Sequence, residues 1–84
     1  MLDNIDDEIK KIFFEVFPDL SESNFDWKKK QNDYNDWDSF SQLSLITMVE
    51  SKFSISITDD ESITIRSAED MQKIVNRHKQ KSDS

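Results

Sequence analysis

Three stretches of this chain carry apolar residues at helical spacing, and the segments between them do not. The first covers residues 3–17, where Ile5, Ile9, Ile12, Phe13 and Val16 recur at steps of three and four. Asp3, Asp6, Asp7 and Glu8 fill its first turn and Lys10 and Lys11 follow, an order that suits the helix dipole. Pro18 sets its end, because a proline disfavours helical geometry in the residue before it. The second predicted helix covers 39–53, with Leu45, Ile46, Val49 and Phe53 in one stripe and Phe40 and Leu43 flanking it. The third begins after Ser67, which with Ala68, Glu69 and Asp70 reads as a capped N-terminus, and sets Met71, Ile74, Val75 and His78 on one face. Lys73, Arg77 and Lys79 suit its C-terminal half, and residues 80–84 read as a frayed polar tail.

Two segments follow other rules. Residues 18–38 show no sustained period and read as a long loop, which the apolar side chains of Leu20, Phe25, Trp27, Tyr34 and Trp37 can pin to the core. Residues 53–58 and 63–66 alternate apolar and polar about Asp59-Asp60-Glu61-Ser62, so local propensity favours a β-hairpin. The competing reading is an extended 54–58 leading into a short helix at 59–65, with Thr58 and Glu61 as a capping box. A two-stranded ribbon is marginal by itself and no other segment supplies a third strand, so the short helix is the expectation. The predicted fold is all-α: one small three-to-four-helix bundle with a long first loop and no internal repeat.

Composition narrows the function more than the fold. A chain of 84 residues buries only about 60–65% of the surface its unfolded form exposes, which argues against a deep catalytic cleft. With 35% hydrophobic residues and nine aromatics (six Phe, two Trp, one Tyr), the chain can build a core and is too apolar for a disordered segment. Cysteine is absent, which excludes disulfides, zinc–thiolate sites and a cysteine nucleophile. Glycine is absent too, so no phosphate-cradling glycine loop exists, and any left-handed backbone position is expected at an Asn or Asp such as Asn24, Asn32, Asn35 or Asn76. A formal charge of −7 disfavours a nucleic-acid partner, and Lys28-Lys29-Lys30, the one basic run, reads as a solvated loop. An acidic surface suits partner proteins with basic docking patches. The N-terminal residues lack the basic start and apolar run of a signal peptide, and no segment approaches the roughly 18 residues that cross a bilayer. A cytoplasmic monomer is expected.

The candidate chemistry sits at Asp38-Ser39-Phe40, between the acidic loop and the second predicted helix. A serine there can carry a phosphate ester at the positive end of a helix. The same residues also read as a capping box, in which the Ser39 hydroxyl caps a backbone amide and Gln42 reaches back, and local pattern alone favours this plainer role. His78, the lone histidine, reads as a surface cation or dipole partner near a helix end, and a Ser39–His78–acid triad has no oxyanion-hole signal beside it. Asp36-Trp37-Asp38 and Asp59-Asp60-Glu61 lack the glycine and terminal glutamate of a calcium loop and read as solvated acidic patches.

Over residues 5–78 the chain resembles the acyl carrier protein family. The resemblance rests on Asp38-Ser39, on Leu43, Leu45, Ile46, Val49 and Phe53 downstream of it, on residues 55–60 before a third helix, and on residues 67–75 as the last. It implies a carrier rather than an enzyme: a 4′-phosphopantetheine arm esterified to Ser39, holding acyl or aminoacyl groups as thioesters on the arm's own thiol. Asp38 is then the motif neighbour that orients Ser39 or contacts the modifying enzyme, and Phe40, Ile46, Thr47 and Glu50 contribute to docking. The implied partners are a phosphopantetheinyl transferase and the enzymes that load and transfer the acyl or aminoacyl group. The chain departs from the family in carrying Asn35-Asp36-Trp37 where Leu-Gly usually stands, and Phe40 where Leu does. Its second helix has Glu50 as its only acid, so a specialised carrier with dedicated partners is expected rather than the general carrier of fatty acid synthesis. The reading from a different class is a small acidic interaction module of the same fold, with Ser39 only a cap and no arm.

Overall fold

The computed structural model describes residues 4–83, and among them the regular structure is helical throughout, with no strand. Four α-helices, α1 (Ile5–Val16), α2 (Ser39–Phe53), α3 (Asp59–Ser62) and α4 (Ala68–Asp83), are joined by a short 3-10 turn at Gln31–Asp33 and by irregular backbone. The predicted start of the first helix at Asp3 and the end of the polar tail at Ser84 lie outside the described residues.

Helix α1 begins at Asn4, whose side-chain oxygen accepts from the amides of Asp6 (2.9 Å) and Asp7 (3.4 Å). It stops where the proline rule places the stop, with Phe17 extended (φ −118°, ψ 91°) before Pro18. The helix packs against both α2 and α4. Its stripe of Ile9, Ile12 and Phe13 is buried against Leu45, Ile46, Val49 and Phe53 of α2 and Met71, Ile74 and Val75 of α4. Each of these side chains contributes about 1.5–3 kcal/mol by leaving water, and together they are the core that holds three helices in register.

The long first loop is pinned by its aromatic residues. Phe13 meets Phe25 edge-on at 6.2 Å between ring centroids and Trp37 at 5.6 Å, while Tyr34 packs at 4.9 Å from Phe17 and 5.0 Å from Trp37. Lys10 adds an ion pair to Glu22 at 2.7 Å. Backbone bonds then stitch the loop to the start of α4: the Gln31 amide donates to the Arg66 carbonyl (2.6 Å), and the Glu69 amide to the Trp27 carbonyl (3.0 Å).

The hairpin reading fails at Thr58. Its hydroxyl accepts from the Glu61 amide (3.1 Å) and the Glu61 carboxylate accepts from the Thr58 amide (3.0 Å), a complete capping box that starts α3. The helix is shorter than the predicted 59–65, and residues 63–65 continue as turns, the Thr64 and Ile65 amides donating to the Glu61 and Ser62 carbonyls. Ile65 turns inward and is 1% exposed.

Two backbone expectations need correction. The left-handed position falls on none of the asparagines. Among the described residues it is Ser54 (φ 56°, ψ 48°), which closes α2 as its amide donates to the Glu50 carbonyl. A helix that must stop where no glycine is available bends through the small residue that follows its last buried side chain, Phe53. At the other end of the chain, α4 starts as expected, with the buried Ser67 hydroxyl accepting from the Asp70 amide (3.1 Å), but runs on to Asp83 through much of the segment read as a tail. His78 sits on α4 with Nε2 3.1 Å from both carboxylate oxygens of Glu61, joining α4 to α3. No described helix is long and apolar enough to cross a membrane.

Candidate functional site

The first turn of α2 shows which residue caps the helix. Asp38, not Ser39, is the N-cap: its backbone is extended (φ −106°, ψ −169°) and its Oδ1 accepts from the Ser41 amide at 2.9 Å. This capping, first the Ser41 amide, holds the Asp38 carboxyl below the usual carboxylate range. Ser41 reinforces the turn by donating its hydroxyl to the Asp36 carbonyl (2.6 Å). The capping-box reading of Ser39 and Gln42 is therefore overturned, because the carboxylate one residue earlier occupies the position. Serine and aspartate are comparable N-caps, and the cue that separates them in sequence is the extra gain of a negative charge at the positive end of the helix.

Gln42 is instead a bridge. Its Oε1 accepts from the indole N–H of the buried Trp37 (2.6 Å), and its Nε2 donates to the Ser62 carbonyl (2.8 Å) and, more weakly, to that of Ile65 (3.4 Å). Gln31 completes the connection by donating from Nε2 to the Trp37 carbonyl (3.1 Å). One tryptophan and two glutamines thus tie the long loop, the start of α2 and the segment after α3 into one unit. Trp37 was expected only as a pin for the loop and Gln42 only as half of a capping box; Gln31 was not singled out. The available signal was Trp37 itself, an indole donor that needs a partner when buried.

Ser39 is left as the first helical residue, exposed, with its hydroxyl bonded to none of the described residues. It lies on the rim of an open groove of about 300 Å³ that is also lined by Gln31, Gln42, Ser62, Ile63, Ile65 and Arg66. A phosphodiester-linked arm needs an accessible hydroxyl with room beside it, and both are present, so the residues fit the group that the sequence resemblance implies.

The expected docking residues separate. Phe40, next to Ser39, is 77% exposed, and the structure adds Leu43 (61%) and Ile63 (69%) as exposed apolar side chains that the docking set had not included. Thr47 is exposed but lines a second groove, of about 440 Å³, with Lys11, Ile12, Glu15, Met48, Ser51 and Lys52. Ile46 belongs to the core at 9% exposure, since it shares the buried stripe with Leu45 and Val49, and has little surface to present. Glu50 is half-buried and turned to the end of its own helix, where Oε2 accepts from the Ile57 amide at 2.7 Å and shapes the turn into α3. The acids of the two sequence patches are used locally: Asp38 caps α2, and Asp59, Asp60 and Glu61 fill the first turn of α3. Among the described residues no His, Cys, Asp and Glu cluster has the makings of a metal site.

Comparison with protein-family models, with curated proteins and with solved structures finds no match to this chain.

Proposed function

We propose that this protein is a specialised acyl carrier, not an enzyme, with Ser39 as the attachment point of a 4′-phosphopantetheine arm that holds acyl or aminoacyl groups as thioesters. The observation that carries the reading is the division of labour in the first turn of α2. Asp38 takes the capping role that would otherwise occupy Ser39, and the serine hydroxyl stands exposed beside a groove. A hydroxyl with no structural task is one that an enzyme can derivatise without unfolding the helix.

The chemistry asks little of the carrier itself. A phosphopantetheinyl transferase brings coenzyme A to Ser39, the Oγ–phosphorus bond forms as the pyrophosphate bond of coenzyme A breaks and adenosine 3′,5′-bisphosphate leaves, and the hydroxyl proton goes to a base on the transferase. The thiol that then bears the cargo belongs to the arm, which suits a chain with no cysteine. Enzymes that load or remove the cargo must approach the same end of α2, where Phe40, Leu43 and Ile63 offer apolar surface.

The test is intact-mass measurement after incubation with a broad-specificity transferase and coenzyme A. The wild-type chain is expected to gain the mass of one arm, and Ser39→Ala to gain nothing while keeping its helical circular dichroism. An unchanged wild-type mass would instead mark the fold as an interaction module without a prosthetic group.

A further inference from the structure

The groove beside Ser39 does not end at the helix. It adjoins a second one, of about 240 Å³, and the two share Gln31 and Arg66 in their walls. The second is completed by Lys30 and Asn32. The resulting trough leads from Ser39 across Gln31 and Arg66 to Lys30, towards the long loop rather than along α2.

The glutamines in its walls are held in place. Gln31 is held from two sides, by its amide on the Arg66 carbonyl (2.6 Å) and its side chain on the Trp37 carbonyl (3.1 Å), and Gln42 is held by Trp37 and Ser62. The trough carries two cations in a chain that is acidic overall, with 18 acids against 11 Lys and Arg. The recorded ion pairs, Lys10–Glu22, Lys11–Glu8, Lys52–Glu8, Arg77–Glu61 and His78–Glu61, use neither Arg66 nor Lys30. The Arg66 guanidinium makes one long bond, from Nε to the Ile63 carbonyl (3.5 Å), and is otherwise open to solvent. An anion attached to Ser39 would stand beside the ionised Asp38, and that repulsion needs a nearby cation to offset it.

We infer that this trough seats the phosphate-bearing arm of the modified protein, with Arg66 as the positioning residue for the phosphodiester on Ser39 and Lys30 as the cation at its far end. Guanidinium suits the first position because it presents several donors to phosphate oxygens in a fixed plane, and a flexible lysine suits the second, where the arm is neutral and only its far end or cargo can bring charge. The inference rests on the carrier reading and deepens it. A carrier built this way holds its arm against its own surface and favours a cargo that ends in a carboxylate over a neutral one of the same length.

The test compares amide proton–nitrogen spectra of the protein before and after the arm is attached, in wild type, Arg66→Gln, Lys30→Gln and the control Lys28→Gln. In wild type and the control, attachment is expected to shift the amides of Gln31, Asn32 and Arg66 as well as those of residues 38–41. Arg66→Gln should reduce the remote shifts by about half or more, an effect that added salt reproduces because the pair is exposed. Loading with a succinyl group should shift the Lys30 and Asn32 amides more than a butyryl group does, a difference that Lys30→Gln removes. Shifts confined to residues 38–41 on a chain that has gained the arm would overturn the trough while leaving the carrier reading intact. A chain that gains no arm on Ser39 would overturn both.

Discussion

A single position separates the residue that caps α2 from the serine proposed to carry the arm. Asp38 and Ser39 are both good N-cap residues, and the carboxylate wins because it adds charge at the positive end of α2 to the hydrogen bond that either could make. The consequence for pH can be signed. The folded Asp38 carboxyl titrates below its unfolded value, so its contribution is present above the unfolded value of about 3.9 and is lost as pH falls through the folded one. Asp38→Ala should therefore lower the Tm at neutral pH, with wild type and variant converging in acid; parallel curves down to the lowest pH would contradict the cap. Tyr34 offers the opposite kind of test. Its hydroxyl is buried with no hydrogen-bond partner among the described residues, and burial, with Asp26 adding to it, pushes the phenol up to about 12. Tyr34→Phe keeps the ring contacts with Phe17 and Trp37 and removes the unsatisfied oxygen, and should raise unfolding free energy by about 1 kcal/mol in urea titration.

At the scale of elements, the loop between α1 and α2 is organised by the Trp37–Gln42 pair more than by its own hydrogen bonds. Gln42→Ala strips the acceptor from a buried indole N–H and the donor from the Ser62 carbonyl, and should cost about 1–3 kcal/mol. Urea unfolding measures it, and a loss indistinguishable from that of a solvent-exposed control such as Ser51→Ala would show that the bridge is incidental. The same elements show what could be read from sequence. The helices announced themselves through Ile9, Ile12 and Phe13, through Leu45, Ile46 and Val49, and through Met71, Ile74 and Val75, because burial of one face imposes that period directly. The Thr58–Glu61 box was legible for a similar reason, being a local pattern with a local partner. Gln42 was not legible in its bridging role, since its partners Ser62 and Ile65 lie 20 and 23 residues away. Ser54 was missed because a left-handed serine is forced by where the core ends rather than by the residue's own preference.

For the whole molecule, the proposed carrier role makes the helices a frame that presents one end of α2. The buried faces of α1, α2 and α4 fix the bundle, the aromatic loop closes over its end, and what remains at the surface there is Ser39, a groove, two cations without ion pairs among the described residues and the apolar side chains of Phe40, Leu43 and Ile63. The candidate site was legible in sequence only as a position, Ser39. Its surroundings come from Arg66 in the same groove and Lys30 in the adjoining one, which no pattern within the second helix could place there, and the docking set divided because Ile46 and Glu50 serve the fold instead. The most direct measurement of the central claim is tandem mass spectrometry of the peptide containing Asp38-Ser39-Phe40, after the purified chain is treated with coenzyme A and a phosphopantetheinyl transferase. A phosphopantetheine mass localised to Ser39, absent from Ser39→Ala, is the predicted result. An unmodified peptide, or the arm found on any other serine, would contradict it.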